Sequence, residues 1–237
     1  MVVRRTTLVG ATVDELISLI ETRQLSAGDS LPSTAELAEQ LDVSRTVVRE
    51  AIAELAGQGL LIRRQGKDTE ISFPDSDQFE RMVRLRFALA GAQFDQLQEF
   101  RVTIEIGAAR LAAQRATVED NIALKKRLDA IVSVTDMSLL HEADQAFHSE
   151  VARISRNDFI IMSLEGISPL LIELRKRAWS GWVGAGRNLQ ELIHAHAEVL
   201  DAIVAREPEW AAEAMARHLD QARMGLEVAP HVASHSA

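Results

Sequence analysis

The chain is expected to be mainly helical, with an N-terminal winged helix-turn-helix of three helices and a small β-hairpin wing followed by an all-α helical bundle. Three observations lead there. Leu31 to Ser72 carries helix caps at close spacing and then turns to strand-like alternation. Phe73 to Gln78 is a polar, Pro-containing break. Beyond it, helical periodicity runs with little strand-like alternation to Glu227.

Each element of the first unit has a local cause. Ser33 stands before Thr34-Ala35-Glu36, so its hydroxyl can accept an orphan backbone N–H while Glu36 reaches back, a capping box for a helix ending near Leu41. Leu37, Ala38 and Leu41 give that helix an apolar stripe. Asp42-Val43-Ser44 breaks the pattern, and Ser44 caps the next helix, whose inner face carries Val47, Val48, Ala51, Ile52 and Leu55. Its outer face keeps Arg45, Thr46 and Arg49. Residues at i and i+4 share a helix face, so Arg45 and Arg49 point outward together, where a recognition helix meets base edges and phosphates. Gly57 and Gly59 are expected to end the helix in the left-handed conformation. Leu60 to Arg64 and Thr69 to Phe73 then flank a turn at Gln65-Gly66-Lys67-Asp68 and read as a hairpin. Arg63, Arg64 and Lys67 would supply charge for phosphates, and Gly66 would let the tip approach a groove. Leu31 to Ser72 is thus expected to hold two short helices, a tight turn, a longer helix and a wing.

Composition bounds the rest. The chain has 237 residues and a formal net charge of -9, with a pI near 5.3. Between Ser44 and Lys67, however, Arg45, Arg49, Arg63, Arg64 and Lys67 face only Glu50 and Glu54, so the surface expected to meet DNA is positive. The absence of cysteine excludes a disulfide scaffold and a thiolate metal site, and fits a reducing cytoplasm. Neither a signal peptide nor an apolar run long enough for a bilayer is found, so a cytoplasmic protein with no membrane partner is expected. The expected organisation is a DNA-binding domain over 1–73, a linker over 74–78, a helical domain over 79–228 and a disordered tail over 229–237. Helices are expected near Gln78 to Ala90, Asp95 to Arg115, Val118 to Val134, Leu139 to Ser155, Asp158 to Val183, Asn188 to Arg206 and Pro208 to Glu227. Pro169 should kink or split the fifth of these near Ser168.

One constellation in the helical part carries chemistry. Asp144 and His148 are four residues apart on one helix face, the spacing of a ligand pair for a divalent metal. His196 and His218 each sit among apolar residues on separate helices. Bundles build metal sites from facing helices, although a lone histidine among apolar residues is more often a packed core residue, and both readings stay open here. His194 points to another face. His141, His231 and His235 lie near expected helix or chain ends and are expected to be exposed.

The residues of the first unit, LPS, ELAEQL, VSRT and VREAI followed by GL and the wing, resemble the DNA-binding domain of the GntR family of bacterial transcription regulators. Ala35 and Asp68 depart from the family pattern, which usually has Arg and commonly Gly at those places, so a changed operator preference is expected. Gln98 to Ala113 (QEFRVTIEIGAARLAA), DQAFH, the VLDAI segment after His196 and AM..HL around His218 resemble the FCD ligand-binding domain of the FadR subfamily. The resemblance implies that Asp144, His148, His196 and His218 hold a divalent metal, zinc first, with nickel, manganese or iron as alternatives. Ala195 and Ala197 replace residues that are often Glu and Arg, which leaves open what orients His196.

A dication with one carboxylate and three neutral imidazoles keeps a charge near +1, which suits a small carboxylate metabolite as effector. Arg101 is implied as its anchor, with an ion pair to Glu105 as the alternative, and Arg175 is a second candidate for effector binding beside Arg177. Trp179 and Trp182 read as core or interface. The resemblance implies a homodimer on double-stranded operator DNA, acting as a repressor that the effector releases. Two other classes compete with it. A metalloenzyme would need a general base beyond the four ligands, and none is found in motif context. A constitutive architectural DNA binder would leave the histidines structural. The expectation is a regulator and not an enzyme.

Overall fold

A computed structural model describes residues 7–63, 68–72, 76–91, 93–134 and 137–229. The chain divides into two compact units, Met1–Gln78 and Phe79–Ala237.

The first unit contains α1 (Leu8–Thr22), α2 (Thr34–Gln40), α3 (Arg45–Gly57), β1 (Leu61–Ile62) and β2 (Glu70–Ile71). The capping box forms as expected: Glu36 N donates to Ser33 Oγ while Ser33 N donates to Glu36. Ser44 Oγ accepts from Val47 N and starts α3. Val13 and Leu16 of α1, Leu37 of α2, Val48, Ala51, Ile52 and Leu55 of α3, and Leu61 and Ile71 of the strands close one apolar core.

Two expectations need correction. Leu31 to Ser72 holds a single short helix before α3, not two; the third helix of the unit is α1, which lies upstream, starts on a Thr7 cap and buries Val13 and Leu16. Gly57 is helical, and only Gly59 takes the left-handed conformation, at φ 76°. The sharp turn between α2 and α3 is made by Asp42 at φ 50°, a conformation that Asp and Asn tolerate better than most side chains.

The antiparallel hairpin sets Leu61 opposite Ile71 and Ile62 opposite Glu70. A third segment joins it. Ser30 bridges Glu70, Leu31 N donates to Thr69 O at 2.8 Å, and Ile71 N donates to Asp29 O at 2.8 Å. The residues that lead into α2 are therefore bonded through their backbone to the wing. Arg64, Gly66 and Lys67 of the expected tip lie outside the described residues.

The helical unit contains α4 (Ser76–Leu89, whose first residues belong to the other unit), α5 (Phe94–Arg115), α6 (Val118–Ser133), α7 (Met137–Ile154), α8 (Asp158–Gly166), α9 (Ser168–Gly184), α10 (Leu189–Val204) and α11 (Pro208–Val228). Since α4 begins at Ser76, the residues from Ser76 to Gln78 that were expected in a linker are helical. Pro169 splits the expected fifth helix: α8 ends at Gly166, and proline takes the first turn of α9, where its missing N–H is no loss. His231, His235 and the expected tail after Ala229 lie outside the described residues.

Helix α5 packs against α7, α10 and α11, and α11 also packs against α9 and α10. Along α5 a buried stripe changes character, from Gln98, Arg101 and Glu105 to Ala108, Ala109, Ala112 and Ala113. The alanines admit close packing, while the polar half carries charge into the interior. Backbones of α9 and α11 touch at two glycines: a Cβ at Gly181 would stand 1.9 Å from Gly225 O, and one at Gly225 would stand 2.1 Å from Ala178 O. His141 corrects a further expectation. Helix α7 starts at Met137, ahead of Leu139, so His141 lies inside the helix and is buried.

Candidate functional site

The polar half of α5 faces the four residues expected as metal ligands. Asp144 and His148 come from α7, His196 from α10 and His218 from α11, and none is more than 3% exposed. One ligand atom from each lies within 4.8 Å of the others. His196 Nε2 is 2.9 Å from Asp144 Oδ1, His148 Nε2 is 3.1 Å from His218 Nε2, and His148 Nε2 is 3.7 Å from Asp144 Oδ2. Donors bound about 2.0–2.2 Å from one metal ion lie roughly 3.3–3.6 Å apart in a tetrahedral shell. These three separations bracket that range.

The contacts behind the cluster bear on which nitrogens face it: a hydrogen bond for His196 and a close ionic contact for His148. His196 Nδ1 lies 2.7 Å from Leu192 O, so its proton sits there and Nε2 carries the lone pair. The alanines beside His196 are thus no loss to its orientation, because the backbone of its own helix supplies the partner. His148 Nδ1 contacts Glu105 Oε2, which likewise turns Nε2 inward. His196 Nε2 then faces a carboxylate oxygen at 2.9 Å, two acceptors that repel unless a proton or cation lies between them, while His148 Nε2 lies 3.1 Å from His218 Nε2 and accepts from Arg101 Nη2 at 3.1 Å. This arrangement and its donor set fit a divalent metal.

Electrostatics agree. Burial pulls His148 down to about 4, against the opposing pull of Glu105 and Asp144. Burial also holds His218 well below the usual histidine range, helped by His196 and His148. Both rings are neutral at pH 7, as metal ligands must be. Burial alone would push the two carboxyls up. For Asp144 the influence of His148, Arg175 and His196 outweighs it, and for Glu105 that of Arg101, His148 and Arg175, so both are held well below their ordinary values and stay ionised. Arg175 is lowered to about 10, by burial and by Arg101, and stays a cation. The carboxylates of Asp144 and Glu105 balance the guanidiniums of Arg101 and Arg175. A dication would raise the charge of the site to about +2 rather than the +1 obtained from the ligands alone.

The arginines differ in what they touch. Arg101 Nε donates to Glu105 Oε1 at 2.8 Å while Nη2 lies 3.1 Å from His148 Nε2, so the ion pair and the approach to the cluster occur together. Arg175 directs Nε to Asp144 Oδ2 and Nη1 to Gln145 Oε1, with Nη2 3.6 Å from Glu105 Oε1. Its donors face protein groups, and it stands as a clamp on Asp144. Arg177 lies over the Phe94 ring at 4.5 Å. Trp179 and Trp182 belong to the core, and Trp182 Nε1 donates to Asn188 O.

Two partners were not read as part of the site in the sequence. Glu105 contacts His148 from another helix, and its only sequence signal is its place one turn after Arg101. Gln145 is marked only by adjacency to Asp144.

On the first unit, Arg45, Thr46 and Arg49 are exposed on α3, and Arg63 is exposed beyond β1. Ser33 and Ser44 are exposed and use a lone pair for their caps, which leaves each O–H free to donate to a phosphate.

Residues 8–71 match the bacterial regulatory proteins of the gntR family, and residues 96–221 match the FCD domain. The chain is 31% identical over 203 residues to the HTH-type transcriptional regulator LutR of Bacillus subtilis (strain 168), covering 85% of this chain and 93% of that protein. It is 32% identical over 224 residues to the putative L-lactate dehydrogenase operon regulatory protein of Escherichia coli (strain K12), covering 92% and 86%. The solved structure of Streptococcus agalactiae GntR superposes with a TM-score of 0.69 at 29% identity, over 91% of this chain and 98% of that one.

Proposed function

Because the chain belongs to the GntR family of bacterial transcription regulators, with an FCD domain behind its DNA-binding unit, we propose that it is a homodimeric, metabolite-responsive regulator. It binds double-stranded operator DNA through Arg45, Thr46 and Arg49 of α3, with Ser33, Ser44 and the basic wing on the phosphates. Its helical unit binds a divalent metal and a small carboxylate that sets operator affinity. The family consists of transcription regulators, so no catalytic role is assigned.

The observation that carries the effector reading is the convergence of Asp144, His148, His196 and His218 with Arg101 in one buried cluster. Three imidazole nitrogens and a carboxylate oxygen suit zinc, and would also hold nickel, manganese or iron. When bound, such an ion supplies a Lewis-acidic centre for the oxygens of an anion. Arg101 would pair with a carboxylate beside it through the Nη–H groups that Glu105 does not use. The excess charge favours anions, and the charged side chains around the cluster disfavour fatty acyl chains. A hydroxycarboxylate is the class of first choice, in keeping with the similarity to the putative L-lactate dehydrogenase operon regulatory protein of Escherichia coli.

Effector binding shifts the population of dimers competent for the operator, by as much as its affinity differs between the two states. Metal analysis and a thermal-shift screen of carboxylates on metal-loaded protein test the reading. About one divalent ion per chain, a lower Tm after chelation and a further rise with a specific carboxylate are expected. Protein without stoichiometric metal whose Tm ignores chelation would overturn it.

A further inference from the structure

Glu105 is buried beside the four candidate ligands without being one of them. Its Oε2 lies against His148 Nδ1, and its Oε1 accepts from Arg101 Nε at 2.8 Å. Arg175 Nη2 is 3.6 Å from the same oxygen. We propose that Glu105 is the positioning residue of this site: one carboxylate fixes the tautomer and ring plane of His148 and at the same time holds Arg101 against the edge of that ring. The inference rests on the metal reading given above.

The physical ground is the division of labour between its two oxygens. A metal-ligating imidazole needs an acceptor for its other N–H, and a carboxylate in that role fixes the ring and raises its basicity. Here the second oxygen takes the Nε–H of Arg101, whose Nη2 comes within 3.1 Å of His148 Nε2. Ring and guanidinium therefore converge because both are anchored to one side chain. Helix α5 supplies Arg101 and Glu105 one turn apart, so its own geometry sets the spacing between them. Glutamine is nearly isosteric but offers one carbonyl oxygen where two donors need acceptors. If its oxygen stays with Arg101, its NH2 faces His148 Nδ1 and drives the ring to the Nε2–H tautomer, which has no lone pair for a metal. If its oxygen stays with His148, its NH2 meets the Arg101 Nε–H. Either way the shared anchor is broken.

The test compares the wild-type full chain with Glu105→Gln after chelation and dialysis. Zinc affinity is read by competition with a chromophoric chelator, and the ligand field by the visible absorption of the cobalt-loaded protein. Glu105→Gln is expected to weaken zinc binding about 10–100-fold and to alter the cobalt spectrum at saturation, which a merely structural role would leave unchanged. Affinity within twofold of wild type with an identical cobalt spectrum overturns the inference and leaves the metal reading standing. A wild-type chain that takes up neither ion overturns both. A second measurement needs no variant: long-range 1H–15N correlation of the imidazoles in zinc-loaded wild type is expected to place the His148 proton on Nδ1, and a proton on Nε2 overturns the assignment.

Discussion

Acidifying the metal-stripped protein from pH 7 to pH 5 is expected to destabilise its helical unit by about 2 kcal/mol through His148 alone. The native ring titrates at about 4 because it is buried, whereas an unfolded chain titrates near the model value of 6.5. A depressed histidine pKa means that the unfolded state takes the proton first. Its stabilising contribution is therefore complete above 6.5 and is lost as the pH falls from 6.5 to 4. Each pH unit within that window is worth about 1.4 kcal/mol, so the 1.5 units between 6.5 and 5 give about 2 kcal/mol and the whole window about 3. His218 shifts in the same direction and adds to the loss.

Against a domain stability of about 5–15 kcal/mol this is a large fraction. The tryptophans make the assay selective. Trp179 and Trp182 lie in α9 and Trp210 in α11, so intrinsic fluorescence follows the helical unit and not the DNA-binding unit. Urea titrations at the two pH values should differ in midpoint by about 1 M, taking an m-value of about 2 kcal/mol/M. His148→Gln should show a smaller difference, and added zinc should steepen the wild-type response because protons compete with the ion. Equal midpoints at pH 7 and pH 5, or a variant as acid-sensitive as wild type, would refute the assignment of His148 as a buried neutral ring.

Other expected outcomes follow from packing, capping and charge. Gly225→Ala puts a methyl group 2.1 Å from the Ala178 carbonyl oxygen, and overpacking of this kind should cost about 1–3 kcal/mol in urea denaturation; unchanged stability would show that α9 and α11 can part without penalty. Asp120→Asn weakens the capping box of α6 and its pairs with Arg153 and Arg156. Burial raises the Asp120 pKa, but Thr117, Arg153 and Arg156 together bring it down to about 2. The substitution should therefore cost about 2 kcal/mol near neutral pH, and wild type should lose the same amount as pH falls from 3.8 to 2; equal wild-type and variant stabilities at pH 7 would contradict it. Arg45→Ala or Arg49→Ala should cost about 1–3 kcal/mol of discrimination between operator and random DNA, with circular dichroism unchanged. Fluorescence anisotropy reads this directly, and undiminished sequence preference would remove the residue from the recognition set.

Most helix limits were legible because caps, periodicity and proline act within a few residues of one another. The Pro169 break, the Ser33 and Ser44 caps and the Arg45/Arg49 face all follow from local rules. Helix α1 obeys those rules as well, with Thr7 as its cap and Val9, Val13, Leu16, Ile17 and Ile20 along its core face, but it stands ahead of the motif that marks the unit. Asp144 and His148 announce each other by spacing along one helix. Glu105 does not, because its contact with His148 exists only once α5 lies against α7. The approach of Arg101 to His148 was illegible for the same reason, whereas its ion pair with Glu105 follows from spacing along one helix.

The backbone bonds between residues 28–31 and β2 bear on how the protein meets DNA. They join the lead-in to α2 and the root of the hairpin through their backbones. In the proposed mode of binding, a phosphate gripped by a hairpin residue would also help to hold α3 over its groove, so that the second contact forms at high effective concentration. Single substitutions at Ser30, Leu31 or Glu70, none of which need touch a nucleotide, are therefore places where operator affinity can be tuned without changing the bases that are read.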